Sequence, residues 1–268
     1  MKNIFIAAII CAALIVTGCG GDKTNSNSTS TKHEQIVVVG IDDEFPPMAF
    51  RDDSGRIVGF DIDLAKEAAR RMGVEFEFKP IVWSDKEQEI TSGNIDMIWN
   101  GLDITPERKE YMIFSKPYID DRQILLVRKG NDKDIQTEGD LTGKIVGAQV
   151  GSTAETYVNE SPYLKDSFAK FVTYDNLKEG LELLSNGDID TLIVSEISGR
   201  YEAINHRDKF ETVSVMIGPA GEIGIGFGKK NVELRDKVQK VFDEMVHDGT
   251  AKKISEKWFD SDLIKYIK

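Results

Sequence analysis

The chain has 268 residues and carries 34 lysines and arginines against 46 aspartates and glutamates, which gives a formal net charge of −12. Such an acidic balance excludes nucleic acid as an expected partner, because phosphates repel it. Of the two cysteines, Cys11 lies in an N-terminal apolar run, so Cys19 alone remains beyond it, and neither an intrachain disulfide nor a cysteine-ligated metal site is expected there. We expect no metal and no cofactor.

The first nineteen residues are typical of a bacterial lipoprotein signal. A lysine at position 2 precedes an apolar run over residues 4–16, and the tetrapeptide VTGC ends at Cys19. The run is too short to span a bilayer. We predict that residues 1–18 are removed and that Cys19 is lipidated; a cut elsewhere and a retained anchor helix are the alternatives. The polar composition of residues 19–33 predicts a disordered tether.

After the tether, strand-like and helix-like patterns alternate. The β-branched run 35–41 predicts a strand, and the amphipathic segment 59–72, closed by Gly73, predicts a helix. The other predicted strands are 74–79, 96–99, 124–127, 145–148, 171–173 and 191–194. The other predicted helices are 85–91, 152–158, 176–184, 232–247 and 251–258. Two such sets in series predict two α/β lobes.

Two crossings between the lobes are expected, the second near the glycine-rich segment 218–228. A hinged cleft between two lobes is where ligands usually bind. We expect lobe 1 to comprise residues 34–120 and 223–268 and lobe 2 to comprise residues 121–222. Closure is expected about residues 121–122 and 223–226.

Short motifs follow one another along the chain in a recognisable order. They are VGID (39–42), FPPMAF (45–50), GFDIDL (59–64), SGNID (92–96), ITPER (104–108), FSKPY (114–118), VG (146–147) with GST (151–153), GDID (187–190) and DGT (248–250). From about residue 34 onward, the chain resembles the extracellular solute-binding proteins of ABC transporters that import polar amino acids. The resemblance implies a two-lobe, type II periplasmic-binding fold, an amino acid as ligand and a transmembrane permease as partner.

The resemblance also implies a cleft that holds a zwitterion. Arg108 is expected to grip the ligand carboxylate, because a guanidinium presents a planar fork of donors; the alternative is a surface arginine on a turn. Backbone amides near Gly101 and Asp103 are expected to add donors. From the other lobe, Ser152 and Thr153 at a helix start are expected to do the same.

Further positions are expected around the ligand side chain. Phe45 matches the family position that stacks on it, and Trp83 matches a wall position, with ordinary core packing open for both. Asn100 begins the turn that carries Gly101. Asp42 matches a position near the ligand side chain, and with Asp103 it favours a cationic or large polar amino acid.

Two positions depart from the family pattern. Asp103 stands where relatives have Ser or Thr, and Ser195, followed by Glu196, stands where relatives have the aspartate that pairs with the ligand ammonium. An ionised Asp103 cannot donate to a carboxylate. Either it takes the ammonium or a cationic side chain, or it pairs with Arg108 or points to solvent. Whether Asp103 or Glu196 replaces the usual aspartate stays open.

Two other function classes share this fold. A lyase similar to cyclohexadienyl dehydratase would need a buried general acid, for which Asp103 or Glu196 would serve. The sequence has neither an HExxH motif nor a phosphate-binding glycine loop. The sensory domain of a receptor would continue into a transmembrane helix, which we do not expect. We therefore predict a monomeric, non-enzymatic binding protein, lipid-anchored at the outer side of a cell membrane, extracellular or periplasmic.

Overall fold

The computed structural model describes residues 36–131 and 133–265. Cys19, the predicted signal and the predicted tether lie outside the described residues. Within them, no helix combines the length and the apolar character that crossing a membrane requires.

The described residues form thirteen strands, nine α-helices and two 3-10 turns. The strands are β1 (Ile36–Ile41), β2 (Glu44–Phe45), β3 (Ala49–Arg51), β4 (Ile57–Val58), β5 (Glu75–Pro80), β6 (Met97–Ile98), β7 (Met112–Phe114), β8 (Ile119–Arg128), β9 (Ile145–Gln149), β10 (Lys170–Tyr174), β11 (Thr191–Ser195), β12 (Phe210–Ile223) and β13 (Gly226–Gly228). The α-helices are α1 (Phe60–Met72), α2 (Lys86–Ser92), α3 (Pro106–Lys109), α4 (Thr153–Glu160), α5 (Pro162–Ser167), α6 (Leu177–Asn186), α7 (Glu196–Asn205), α8 (Val232–His247) and α9 (Thr250–Phe259). The 3-10 turns are Trp83–Asp85 and Glu138–Leu141.

The sheet of lobe 1 has the order β5-β1-β6-β13-β7, with β1 parallel to both of its neighbours. Helices α1, α8 and α9 contribute buried side chains to its main core, together with Trp99 and Tyr118. Helix α1 ends at Gly73, which adopts φ 66° and donates its N–H to Ala69 O, so this glycine provides the left-handed cap that the sequence predicts. A small three-stranded sheet, β2-β3-β4, lies beside this core.

The sheet of lobe 2 has the order β10-β9-β11-β8-β12. Strands β9, β10 and β11 run parallel, whereas β8 and β12 pair antiparallel. Apolar side chains cover both faces of this sheet in two separate clusters. A sheet covered on both faces is the layered arrangement that alternating strands and helices predict. The two-lobe α/β fold is thereby confirmed.

The start of β8 and the end of β12 pair with each other where the chain passes between the lobes. Asp121 lies opposite Gly221, and Ile119 lies opposite Ile223. The turn that follows β6 joins this pair, because residue 103 forms a bridge with Ile223 and Leu102 O accepts a hydrogen bond from Gly224. The hinge region is therefore a hydrogen-bonded three-part junction.

Several elements differ from the sequence prediction. The predicted strand 124–127 is the second half of β8, which begins at Ile119, and most of β12 precedes the predicted crossing at 218–228. Helix α7 was not predicted, because Gly199 interrupts its pattern. A Cβ at Gly199 would lie 2.9 Å from Val194 Cγ2, so the glycine permits close packing of this helix on β11.

Candidate functional site

A cavity of about 550 Å³, counted out to its mouth, lies between the two lobes. Ten of the eleven ligand-binding residues predicted from the sequence line it: Asp42, Phe45, Trp83, Asn100, Gly101, Asp103, Arg108, Ser152, Thr153 and Ser195. The lining residues that the sequence analysis missed are Asp121, Gln123, Gln149, Tyr174, Leu177, Ile193 and Val194.

Arg108 is a buried cation at the wall of lobe 1. It lies in the short helix α3, which Pro106 begins and whose N-cap Thr105 accepts a hydrogen bond from the Arg108 amide. The guanidinium donates to Asp103 O at 2.9 Å and to Gly151 O at 3.2 Å. Among the described residues, no carboxylate lies within ion-pair distance of Arg108, so further donors of its fork are available.

Lys86 is a second buried cation beside Arg108. Its Nζ donates to Trp83 O at 3.1 Å and across the cleft to Gly151 O at 2.8 Å. Burial, followed by repulsion from Arg108, lowers the pKa of Lys86 to about 7. Gly151 has φ 72°, and a Cβ there would lie 2.8 Å from the lysine Nζ. A glycine therefore lets both cations reach one carbonyl of lobe 2.

Asp61 holds the turn at Gly101 from behind the cavity. Its side chain is fully buried and accepts hydrogen bonds from the Gly101 amide at 2.6 Å and from the Tyr118 hydroxyl at 2.7 Å. Burial raises the pKa of Asp61 to about 7, although both hydrogen bonds lower it. The aspartate of the GFDIDL motif thus positions the backbone that lines the site.

The Asp103 side chain faces lobe 2 across the cleft. Its Oδ2 accepts a hydrogen bond from the Thr153 hydroxyl at 2.7 Å, and the residue is 9% exposed. Arg108 binds its backbone carbonyl and not its carboxylate. Burial raises the pKa of Asp103, against the opposing effects of Arg108 and Thr153. Neither an ion pair with Arg108 nor an orientation toward solvent, both considered above, describes this side chain.

Asp121 is a buried carboxylate that the sequence places at a crossing between the lobes but not among the ligand-binding residues. It is 7% exposed, and its Oδ1 has no hydrogen-bond partner among the described residues. Burial, together with the nearby charge of Asp103, raises the pKa of Asp121 to about 8. The missed signal was the alternation along β8, where residues 121 and 123 are buried and residue 120 is exposed.

A polar pair also links the two lobes at the wall of the cavity. Asp42 Oδ2 accepts a hydrogen bond from Gln149 Nε2 at 2.8 Å across the cleft, and Asn100 Oδ1 accepts one from the Asp42 amide at 3.2 Å. Burial raises the pKa of Asp42. Gln149 is the last residue of β9, so its position at the end of a buried strand was a signal that sequence reasoning had available.

Aromatic side chains provide the apolar walls. Phe45 packs against buried clusters of both lobes. Trp83 belongs to a core cluster of lobe 1 and also lines the cavity, with the Lys86 Nζ 5.2 Å from its ring centroid. The alternatives of wall and core, left open for both residues, are therefore not exclusive.

Ser195 and Glu196, both predicted to bind the ligand, lie in different surroundings. Ser195 lines the cavity and lies opposite Gln123 of β8. Glu196 is not among the lining residues; it accepts hydrogen bonds from Arg122 at 2.6 Å and from Arg200 at 2.8 Å. Glu196 has its charge compensated by these two arginines, which lower its pKa.

At the helix start in lobe 2, Ser152 caps α4 by accepting a hydrogen bond from the Glu155 amide at 3.1 Å. The Thr153 hydroxyl is the first side chain of that helix to face lobe 1. The described residues contain no group of histidine, cysteine or carboxylate side chains arranged to hold a metal ion. The arrangement is suited to holding a small polar molecule through opposed charges.

A family model of bacterial extracellular solute-binding proteins, family 3, matches residues 37–261. The chain belongs to this family. A relative among the family 3 proteins is the L-cystine-binding protein TcyJ of Escherichia coli (strain K12), which is 32% identical over 237 residues, covering 87% of this chain and 86% of the relative.

Solved structures agree with this family 3 assignment. An ABC uptake transporter substrate-binding protein from Streptococcus pneumoniae with bound histidine superposes with a TM-score of 0.82 and 32% identity, over 86% of this chain and 95% of that one. The ancestral amino acid-binding protein AncCDT-1, a precursor of cyclohexadienyl dehydratase, gives a TM-score of 0.76 and 32% identity, over 84% and 95% of the two chains.

Proposed function

We propose that this family 3 protein captures a polar L-amino acid between its lobes and delivers it to the permease of an ABC importer. The observation that carries the proposal is Arg108, a 6% exposed cation that lines the cavity without a carboxylate partner among the described residues. Burying a charge is costly unless it is paired. A ligand carboxylate provides the missing partner through two parallel hydrogen bonds.

The remaining chemistry of the cavity suits the rest of an amino acid. The Gly101 turn and the start of α4 provide hydrogen-bond donors beside Arg108, and Phe45 with Trp83 provides apolar surface for a side chain. Three lining carboxylates, Asp42 among them, oppose one lining guanidinium. This excess of acidic groups favours a cationic amino acid, or a large polar one that resembles cystine. Of the relatives described above, one is named for L-cystine and one is solved with bound histidine.

In the proposed closure, lobe 2 moves onto a ligand that is already bound to lobe 1. Hydrogen bonds cross the cleft from Lys86, Arg108, Thr153 and Gln149. These bonds exist only where the lobes meet, so ligand contacts that depend on the same arrangement drive closure. We place the lobe limits at residues 34–120 with 223–268 and at residues 121–222. The closed surface is what the permease recognises.

The proposal extends to the location of the protein in the cell and to its oligomeric state. Residues 1–18 are removed, and lipid on Cys19 holds a monomer at the outer face of the membrane through the tether 19–33. More than one acyl chain on that residue gives stable anchoring. The protein is a binding protein and not an enzyme. Mass spectrometry of the membrane-extracted protein tests the anchor, since an acylated Cys19 at the N-terminus is expected.

A thermal-shift screen of the purified mature protein tests the function. The panel contains the twenty L-amino acids, L-cystine and prephenate, because a ligand that binds the native state alone raises the melting temperature. A selective rise with one group of amino acids is expected, and it should disappear when the same amino acid is supplied as its carboxamide. A rise with prephenate and with no amino acid would contradict the proposal and favour the lyase.

A further inference from the structure

Two buried carboxylates meet at the junction between the lobes. Asp103 lies in the turn after β6, and Asp121 lies in β8, opposite Gly221 of β12. A Cβ at Gly221 would lie 2.9 Å from Asp103 Oδ1. The Asp103 carboxylate therefore lies directly over the backbone pair that contains Asp121. Both residues line the cavity, and both are more than nine-tenths buried.

One oxygen of this carboxylate pair is buried without a partner, although hydrogen bonds from Ser195 and from the Arg122 and Ile197 amides to Asp121 oppose the rise of its pKa. Asp103 Oδ2 accepts from Thr153, whereas Asp121 Oδ1 has no donor within the described part of the chain. Buried polar atoms in native proteins are almost always hydrogen-bonded, so an orphaned carboxylate oxygen requires an explanation. Burial raises the pKa of both groups, and the nearby charge of Asp103 raises that of Asp121 further.

The neighbouring cations are all engaged elsewhere. Arg108 donates to the backbone carbonyls of Asp103 and Gly151, and Lys86 donates to that of Trp83 and to the same Gly151 carbonyl. Arg122, next to Asp121 in the chain, forms its ion pair with Glu196. Among the described residues, no cation lies within ion-pair distance of the Asp103 or Asp121 carboxylate. The pair thus constitutes an acidic site inside the cavity that forms no ion pair, although the charge of Arg108 acts on Asp103 from beyond ion-pair distance.

We infer that Asp121, together with Asp103, receives the α-ammonium group of the ligand. The inference rests on the proposed function and specifies how one end of the amino acid is held. An α-amino acid carries its carboxylate and its ammonium on one carbon, so the two groups require adjacent receptors. The guanidinium of Arg108 lies 2.9 Å from the backbone oxygen of Asp103, which places the proposed carboxylate receptor beside this anionic pair.

This assignment gives the hinge a direct part in binding. The ammonium enters between a turn of lobe 1 and the strand that leads into lobe 2. It favours the ionised forms of two carboxyl groups whose pKa values are raised in the ligand-free protein. The closed junction is then stabilised by the ligand. The class of ligand follows as L-α-amino acids with a free ammonium group, to the exclusion of their desamino and N-acyl derivatives.

Calorimetric titration of matched ligand pairs tests the inference. The probes are L-histidine with imidazolepropanoate, L-arginine with 5-guanidinopentanoate and L-glutamine with glutaramate, and any other amino acid found in the screen is paired with its own desamino acid. In the wild-type protein, loss of the ammonium should weaken binding about 30-fold or more. In Asp121→Asn the same loss should cost at least about threefold less than in the wild type, because one of the two charges that the ammonium meets is gone and only Asp103 remains.

Asp120→Asn is the matched control. Asp120 precedes Asp121 in β8, faces the other side of the sheet and pairs with Lys265 at 2.6 Å. This variant should discriminate between the paired ligands as the wild type does. Gly221→Ala is a second test that retains both carboxylates, since its new Cβ displaces Asp103. It should weaken binding of the amino acid more than binding of its desamino acid.

The outcomes separate the two proposals. Full discrimination in a folded Asp121→Asn would overturn the inference while leaving the proposed function intact. If Asp121→Asn fails to fold, Gly221→Ala decides, and equal effects on both members of a pair would overturn the inference. Absence of binding by every amino acid to the wild-type protein would overturn the proposed function, and the inference with it.

Discussion

Two buried aspartates on opposite sides of the Gly101 turn differ in their hydrogen bonds. Asp61, behind the cavity, accepts hydrogen bonds from an amide and a hydroxyl, both within 2.7 Å. Asp121, at the edge of the cavity, has an oxygen without any donor in the described structure. Burial raises the pKa of both carboxyl groups, to about 7 and about 8. Their pKa values therefore do not distinguish them, whereas their partners do.

This difference distinguishes a carboxylate that supports the fold from one that is available to bind a ligand. A carboxylate with its donors in place stabilises the arrangement around it, and removing it leaves those donors unpaired. A carboxylate with one oxygen lacking a donor destabilises the ligand-free protein, and it persists where a ligand supplies the missing donor. Arg108 lies between these two cases in how fully its donors are paired, since it has two carbonyl partners and no carboxylate partner among the described residues. The following predictions test this ranking.

The largest effect is expected for Asp61→Ala. The substitution leaves the Tyr118 hydroxyl and the Gly101 amide buried without an acceptor, so the free energy of unfolding should fall by about 4 kcal/mol. Denaturant unfolding followed by circular dichroism measures it. Asp63→Ala in the same helix is the control, with a smaller loss, since Asp63 is partly exposed and pairs with Lys257. Equal losses would remove the distinction drawn for Asp61.

Arg108→Met should abolish most ligand affinity while the protein stays folded. Truncating one partner of a buried charge pair costs about 3 kcal/mol, which is roughly a 100-fold loss. Calorimetry with an amino acid found in the screen measures the loss. Arg200→Met is the control, because Arg200 lies in α7, pairs with Glu196 and does not line the cavity. A carboxamide ligand should bind the Arg108→Met variant as well as the amino acid does.

Asp121→Asn should stabilise the ligand-free protein, in contrast to Asp61→Ala. The folded-state pKa of Asp121 is raised to about 8, from about 4 in the unfolded chain. Folding therefore takes up a proton between these values, and the wild type loses stability as the pH rises toward 8. The variant does not titrate there, so its advantage should grow between pH 4 and pH 8, by up to about 1.4 kcal/mol for each pH unit.

Melting temperatures across that pH range, without ligand, check the Asp121 prediction. Asp103, Asp42 and Lys86 also titrate near the cavity and are common to both proteins, so the difference between the two curves is the informative quantity. Asp120→Asn should follow the wild type. If the variant is less stable than the wild type at pH 8, Asp121 supports the fold as Asp61 does, and the prediction is wrong.

The sequence predicts the fold better than it predicts the site. Ordered motifs and helix ends such as Gly73 are local signals, and the corresponding elements are present. Ten predicted residues line the cavity, and five of them belong to those motifs: Asp42, Phe45, Arg108, Ser152 and Thr153. Asp121 was missed because its importance comes from a junction of three distant segments. Glu196 lies outside the lining because Arg122 and Arg200 bind it, and no local pattern specifies that choice.

The smallest effect is expected for Thr153→Val, which removes one hydroxyl and keeps the shape of the side chain. This hydroxyl donates to Asp103 Oδ2 at 2.7 Å across the cleft, so it stabilises the lobes only when they are together. Hydrogen bonds to charged groups contribute about 1.5 kcal/mol, which corresponds to roughly a tenfold loss of affinity. The melting temperature without ligand should change little, because α4 keeps its Ser152 cap.

Thr156→Val in the same helix is the control, since Thr156 is exposed and its hydroxyl bonds to Ser152 O. If the loss in Thr153→Val appears as faster dissociation with unchanged association, the hydroxyl acts after the ligand has entered, as a bond of the closed state does. A loss confined to association would mean that Thr153 contacts the ligand in the open cleft. In that case Asp103 would reach the ammonium without help from lobe 2, and the anionic pair at the junction would already be formed before closure.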